Sequence, residues 1–276
     1  MFLQLTTLLL ALVSFALSHS WVERLMVVAS NGTMIGAPGF IRGAVSRSTP
    51  AFHDLQMQHL LPITPEGFFS DQICKNTQTT RNYTTALPAL QAYSGDFIAL
   101  QYQENGHVTL PELTPQKESV GSVYIYGTFD PRNNESLSSV HKVWNSDGTG
   151  GDQRGRLIAI RSFDDKQCYQ INSGPNSELR QTNYQKVAKD PQGADLWCQN
   201  NIRLPLYVPH RSWYTLYWVW DWPSAPSNNL PGGKLEIYTS CMDIIMRPGD
   251  NQSGINFIDG QDLNLAGIKE QLQNAD

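Results

Sequence analysis

A chain of 276 residues in which 25 acidic side chains face 20 basic ones carries a formal charge of −5 and no cluster of Lys or Arg, which excludes the basic surface that a nucleic acid selects. Its length is ample for a sizeable hydrophobic core. Four cysteines, an even number, are what an oxidised secreted domain carries.

In chain order, residues 1–18 hold no charged side chain, and Leu8 to Leu17 ("LLLALVSFAL") is an apolar run. That run is too short for a bilayer, which takes about 20 apolar residues, and fits the core of a secretory signal peptide. Ala16-Leu17-Ser18 is a small-x-small cleavage site, so the mature chain is expected to begin at His19. The alternative is an apolar N-terminal strand of a cytosolic protein. No later segment is long and apolar enough to predict a membrane span. Sequons at Asn31, Asn82, Asn134 and Asn251 offer glycan acceptors on a eukaryotic secretory route.

Residues 19–250 read as one domain and 251–276 as a C-terminal extension that ends in a short helix. Within the domain, segments 21–28 ("WVERLMVV"), 96–103 ("DFIALQYQ"), 122–129 ("SVYIYGTF"), 156–163 ("RLIAIRSF"), 213–220 ("WYTLYWVW") and 235–245 ("LEIYTSCMDII") alternate or are rich in β-formers. Gly, Pro and Asn punctuate them, and no long helical periodicity intervenes. The fold class predicted is all-β, an antiparallel sandwich. The polar, glycine-rich stretch 145–155 reads as a mobile surface loop.

An N-terminal histidine is chemically special, because its α-amine and ring Nδ1 can chelate one metal ion together. The amine has a pKa of about 8, so losing its proton to a metal near neutral pH costs little. A second imidazole would complete three nitrogen ligands, a set suited to copper. Of six histidines, His107 is the candidate: "DFIALQYQENGHVTLP" sets it just after a strand, in a Gly-flanked turn that presents a ring at a sheet edge. A histidine in a surface turn is the competing reading.

Other chemistries lack their motifs: G-x-S-x-G, Cys-x-x-Cys and His-Glu-x-x-His are absent. Asp164 and Asp165 could be drawn as a glycosidase pair, but a sequence gives no separation between carboxyl groups. Trp218, Trp220 and Trp222 alternate along one strand and are read as core. Trp21 is the better surface candidate for stacking on a sugar.

The His19 start, His107 in its Gly-His turn, and the paired segments "LYWVWDW" and "GGKLEIYTSCMDI" together resemble the lytic polysaccharide monooxygenases, secreted copper enzymes on an immunoglobulin-like or fibronectin-like sandwich with long loops. The start "HSWVE" and the segment "YQENGHVTLP" are more closely similar to a group of secreted fungal proteins. The resemblance runs over much of residues 19–246. It implies one copper ion in a histidine brace of His19 and His107, with Tyr238 axial. It also implies a role for Glu236, since the family's pattern of Gln or Glu, one residue, an aromatic and then Cys is met by Glu236, Ile237, Tyr238 and Cys241. Strand residues two apart face the same way, so Glu236 and Tyr238 are expected to point together at the metal, Glu236 steering a proton. The implied partners are a polysaccharide, an external electron donor and O₂ or hydrogen peroxide, acting on a protein expected to be a monomer. The implied disulfides are Cys74–Cys241 and Cys168–Cys198, one of three connectivities that four cysteines allow. Two other readings stay open: a copper-binding or copper-handling protein without catalysis, and a glycan-binding module without metal.

Overall fold

The computed structural model describes residues 20–29, 32–61, 72–207, 212–228, 231–247 and 249. Among the described residues, ten strands form two sheets. Strands β1 (Val22–Val28), β2 (Met34–Gly39), β3 (Leu60–Leu61), β4 (Leu90–Tyr93), β5 (Phe97–Tyr102), β6 (Ser122–Thr128), β7 (Gly155–Ser162), β8 (Cys198–Arg203), β9 (Trp213–Asp221) and β10 (Ile237–Arg247) are joined by long connections that include two short helices, α1 (Leu137–Val140) and α2 (Pro175–Asn183). The smaller sheet runs β2-β1-β5-β8. The larger runs β3-β10-β9-β6-β7, with β4 added to β10. Every pairing is antiparallel except β4 with β10. This is a largely antiparallel all-β sandwich, and all six strand segments expected from the sequence are strands.

The core between the sheets takes every second residue of β9: Tyr214, Leu216, Trp218 and Trp220 pack with Leu25, Ile98, Leu100, Met242 and Ile244. The alternate residues Tyr217 and Val219 enter a second cluster with Cys74, Leu137, Val140 and Trp144. The larger sheet is therefore covered on both faces, which is why β9 reads as a nearly unbroken apolar run. The stripe of Trp218, Trp220 and Trp222 is core, at 0%, 0% and 1% exposure. Each indole N–H finds an acceptor, in Asn200 Oδ1, Val120 O and Ser119 O respectively.

A bulge between Val22 and Arg24 breaks the register of β1 on β5. Val22 and Leu25 consequently both face the core, and the Val22 N–H reaches across to Ser240 Oγ at 3.1 Å. Disulfides join Cys74 to Cys241 and Cys168 to Cys198. The 145–155 stretch is at the surface but bonded across itself, with the Gly150 N–H on Asn145 Oδ1 and the Thr149 N–H on Asp147 Oδ1. Residues 1–18, the expected leader, His19, the expected mature start, and residues 251–276, the expected extension, lie outside the described residues.

Candidate functional site

One end of the sandwich collects the start of β1, the end of β5, the end of β9 and the start of β10, because antiparallel pairing sets the end of one strand beside the start of its neighbour. Ser20, the first described residue, donates through Oγ to the Gln103 carbonyl at 2.9 Å. His19 itself lies outside the described residues.

Beyond β5 the chain turns through Asn105 and Gly106, whose φ angles are +50° and +78°. The His107 N–H closes the turn on the Glu104 carbonyl at 2.9 Å. Two successive positive φ angles define a type I′ turn, and Asn-Gly is the dipeptide that adopts it most cheaply. The buried Glu104 carboxylate then fixes the segment after the turn, accepting from the Val108 and Thr109 N–H groups, the Thr109 hydroxyl and the Gln170 N–H. His107 is thus anchored from both sides. Its ring is 4% exposed and lies 4.7 Å from the Trp222 ring and 5.7 Å from the Trp220 ring, centroid to centroid. It is not a loose surface-turn histidine.

Tyr238, on β10, pairs in register with Trp220 on β9, and their rings are 5.0 Å apart. Trp220 therefore touches both proposed ligand rings, and Tyr238 is itself 1% exposed. Glu236 stands at the same end but precedes the first residue of β10. Its Oε2 accepts from Lys117 Nζ, and its Oε1 lies 3.2 Å from Lys234 Nζ. Two lysines thus neutralise a carboxylate that the spacing had aimed at the metal alongside Tyr238. Lys117 has almost no exposed side chain, and burial holds its pKa below the ordinary lysine value against the pull of Glu236. Sequence reasoning missed Lys117, which sits in an unpatterned connection with no signal marking it.

Trp21, the surface candidate, is 1% exposed, with the Arg47 guanidinium 4.7 Å from its ring and Phe52 beside it. Arg47 also pairs with Glu23, whose carboxyl burial pushes upward despite that partner.

The other histidines have separate surroundings. His53 opens a short turn, His59 Nε2 meets the Gln72 carbonyl, and His141 packs between Tyr126 and Asp221; His210 lies outside the described residues. Asp164 and Asp165 are not a catalytic pair. Asp164 takes both arms of Arg180, and Asp165 accepts the N–H groups of Gln167, Cys168 and Gln199. Asp165 also lies near Cys168 and Cys198, but those sulfurs are spent on each other as a disulfide and are not metal ligands. Of the sequons, Asn82 and Asn134 are exposed; Asn31 and Asn251 lie outside the described residues.

The fold and this site define an all-β sandwich with a histidine set in an aromatic wall at one end. The chain belongs to the family described as "Domain of unknown function (DUF7492)", whose profile matches residues 16–269. Comparison with curated proteins gives no match. Among solved structures, the chain is similar to HiLPMO9B at 13% identity and a TM-score of 0.37, covering 89% of this chain and 85% of that one. It is also similar to Cel61B from Hypocrea jecorina, a glycoside hydrolase family 61 member, at 14% identity and a TM-score of 0.34, covering 89% and 87%. Among the described residues no helix is long and apolar enough to cross a membrane.

Proposed function

We propose that this is a secreted copper-dependent monooxygenase that oxidatively cleaves a polysaccharide, in which the α-amine and ring of His19, the ring of His107 and Tyr238 would hold the metal. The observation that carries the reading is a juxtaposition: Ser20, the neighbour of His19, is bonded to Gln103, and the adjoining Glu104–His107 turn fixes a second imidazole at the same end of the sandwich. The donor set fits copper, being imidazole and amine nitrogen with a phenol nearby. Bound there, copper supplies one-electron redox chemistry and activation of O₂ or peroxide, with electrons from an external donor. The chain supplies position. Trp220 and Trp222 hold the His107 ring, and Tyr238 is set by its pairing on β9 and β3. Glu236 serves as the proton-handling carboxylate, through Oε1, whose partner is the half-exposed Lys234, while Lys117 occupies Oε2. Two disulfides suit a protein of an oxidising compartment, and the exposed Asn82 and Asn134 suit glycosylation there.

One observation favours a second reading, in which copper is bound but no sugar is oxidised. Every tryptophan weighed for sugar stacking, Trp21, Trp218, Trp220 and Trp222, is buried.

The test is copper titration of secreted protein whose intact mass places His19 at the terminus. One equivalent should bind, His107→Ala should abolish the parent Cu(II) paramagnetic resonance spectrum, and His141→Ala and His53→Ala should leave it unchanged. A parent spectrum in His107→Ala would remove the site. Ascorbate-dependent peroxide and oxidised oligosaccharides then separate the enzyme from the copper carrier.

A further inference from the structure

Trp222 is held at more points than packing alone needs. Its N–H donates to the Glu236 carbonyl at 2.9 Å and its indole N–H to the Ser119 carbonyl at 2.8 Å, while Trp220 stacks on it at 4.7 Å. A further set of contacts comes from Lys117. Lys117 Nζ donates to the Trp222 carbonyl at 2.7 Å, lies 4.0 Å from the Trp222 ring centroid, and pairs with Glu236. The Lys117 side chain is only 2% exposed. Removing an ammonium from water is expensive unless its donors are used, and here its two hydrogen bonds and its contact with an indole all go to Trp222 and to the carboxylate of Glu236, the residue whose main-chain carbonyl accepts the Trp222 N–H. The ring that Trp222 then presents its surface to is His107.

We infer that Lys117 is a positioning residue for His107: with Glu236 as its counter-ion it fixes the Trp222 indole, and the indole fixes the plane of the imidazole. The placement of the imidazole stands on contacts in the chain itself; its consequence for copper rests on the function proposed above. The local backbone agrees with such a task. Lys117 bridges to Ser224 and Ser224 to Lys234, while the Ala225 N–H bonds the Gln116 carbonyl, so three separate segments are stitched together around this one ammonium.

The experiment measures the ring-proton chemical shifts of His107 in metal-free protein, which the neighbouring indoles displace strongly, and then copper affinity, in the parent and in Lys117→Met, Lys117→Arg and Glu236→Gln. Lys117→Met keeps the length of the stem. Glu236 keeps Lys234 as a counter-ion at 3.2 Å when Lys117 is removed, so its charge is not stranded and a folded variant is expected; Glu236→Gln carries the same test should it not fold. Lys117→Met should move the His107 resonances while those of His53 and His141 stay fixed, and should weaken copper binding roughly 10-fold, the lower end for loss of a supporting partner. Lys117→Arg, which keeps the charge and the ring contact, should restore both. A folded Lys117→Met with parent His107 shifts overturns the inference. Moved shifts in a protein whose parent binds no copper support the positioning role and overturn the copper reading instead.

Discussion

At the scale of single residues the most exacting arrangement is the pair of Arg42 and Asp243, exposed by 2% and 0%. The guanidinium meets the carboxylate with two bonds, Nε to Oδ2 at 2.7 Å and Nη2 to Oδ1 at 2.6 Å. Thr215 Oγ1 and the Tyr83 hydroxyl donate to the two remaining carboxylate positions, and Arg42 Nη1 donates to the Gln78 carbonyl. Burial, with the charge of Asp243, pushes the Tyr83 phenol far up, so it stays protonated and remains a donor. A buried pair satisfied this fully is costly to halve. Arg42→Met should lose about 3–5 kcal/mol in urea unfolding, the usual penalty for stranding a buried charge, while Arg42→Met with Asp243→Leu should recover much of it. A single variant within about 1 kcal/mol of the parent would mean that water reaches Asp243. None of this was legible, because an aspartate inside "TSCMDII" has no local partner. The surroundings of Glu236 were illegible for the same reason: spacing aligns it with Tyr238, but the strand begins one residue later and its partner Lys117 is 119 positions away.

At the scale of elements, the six long strands were legible because each alternates or is packed on both faces, and the Asn-Gly turn that lifts His107 was legible because its chemistry is local. The strands missed are those without such a signature. β8 reads "CQNNIR", yet Gln199, Asn200 and Asn201 are buried, because their side chains bond to one another, to the Trp218 indole and to the Ser162 carbonyl. β2 carries two glycines and a proline at a sheet edge, and β3 and β4 are short. Helix α2 was missed too, being nine largely polar residues held by polar contacts, among them those of Ser177 with Gln170 and Asn172. Its charged anchor is Arg180, which meets both oxygens of Asp164 and also donates to the Cys168 carbonyl. Burial raises the Asp164 carboxyl, but the hydrogen bonds and charge of Arg180, with the Lys166 N–H, outweigh it and leave the pKa below its ordinary value. A depressed acid stabilises the fold above its unfolded pKa, about 3.9, and that contribution disappears as pH falls through the folded value. Arg180→Leu should therefore cost roughly 1–3 kcal/mol at pH 6, and the gap from the parent should narrow on acidification to pH 3. A gap independent of pH would show that Arg180 acts on α2 through packing and its bond to the Cys168 carbonyl, not through Asp164.

At the scale of the whole molecule, the sandwich was legible and its covering layer was not. The strand pattern pointed to two sheets, but the larger sheet is also packed on its outer face by the 72–78 segment, α1 and Trp144, stretches with neither strand nor helix periodicity. Cys74–Cys241 fastens this layer to β10, the strand that carries Tyr238, across a sequence separation of 167, whereas Cys168–Cys198 closes only 30 within the smaller connection into β8. Around the longer bridge the cover is hydrogen-bonded to β10 as well. The Arg42 N–H donates to the Cys241 carbonyl, and the Cys241 N–H donates to Gln78 Oε1. If a cross-link acts mainly by restricting the unfolded chain, the longer loop stabilises more, since the closure entropy grows with the logarithm of loop length. Replacing both Cys74 and Cys241 by Ala should then cost roughly 2–5 kcal/mol, and the same change at Cys168 and Cys198 about 1.5 kcal/mol less. Urea titrations of the two double variants would measure this, and the longer bridge should also give the larger rise in m, because its loss lets more of the unfolded chain expand. Equal losses from the two bridges would assign their effect to packing in the folded state. A selective loss from Cys74–Cys241 accompanied by a changed Tyr238 environment would tie the covering layer to the proposed site itself.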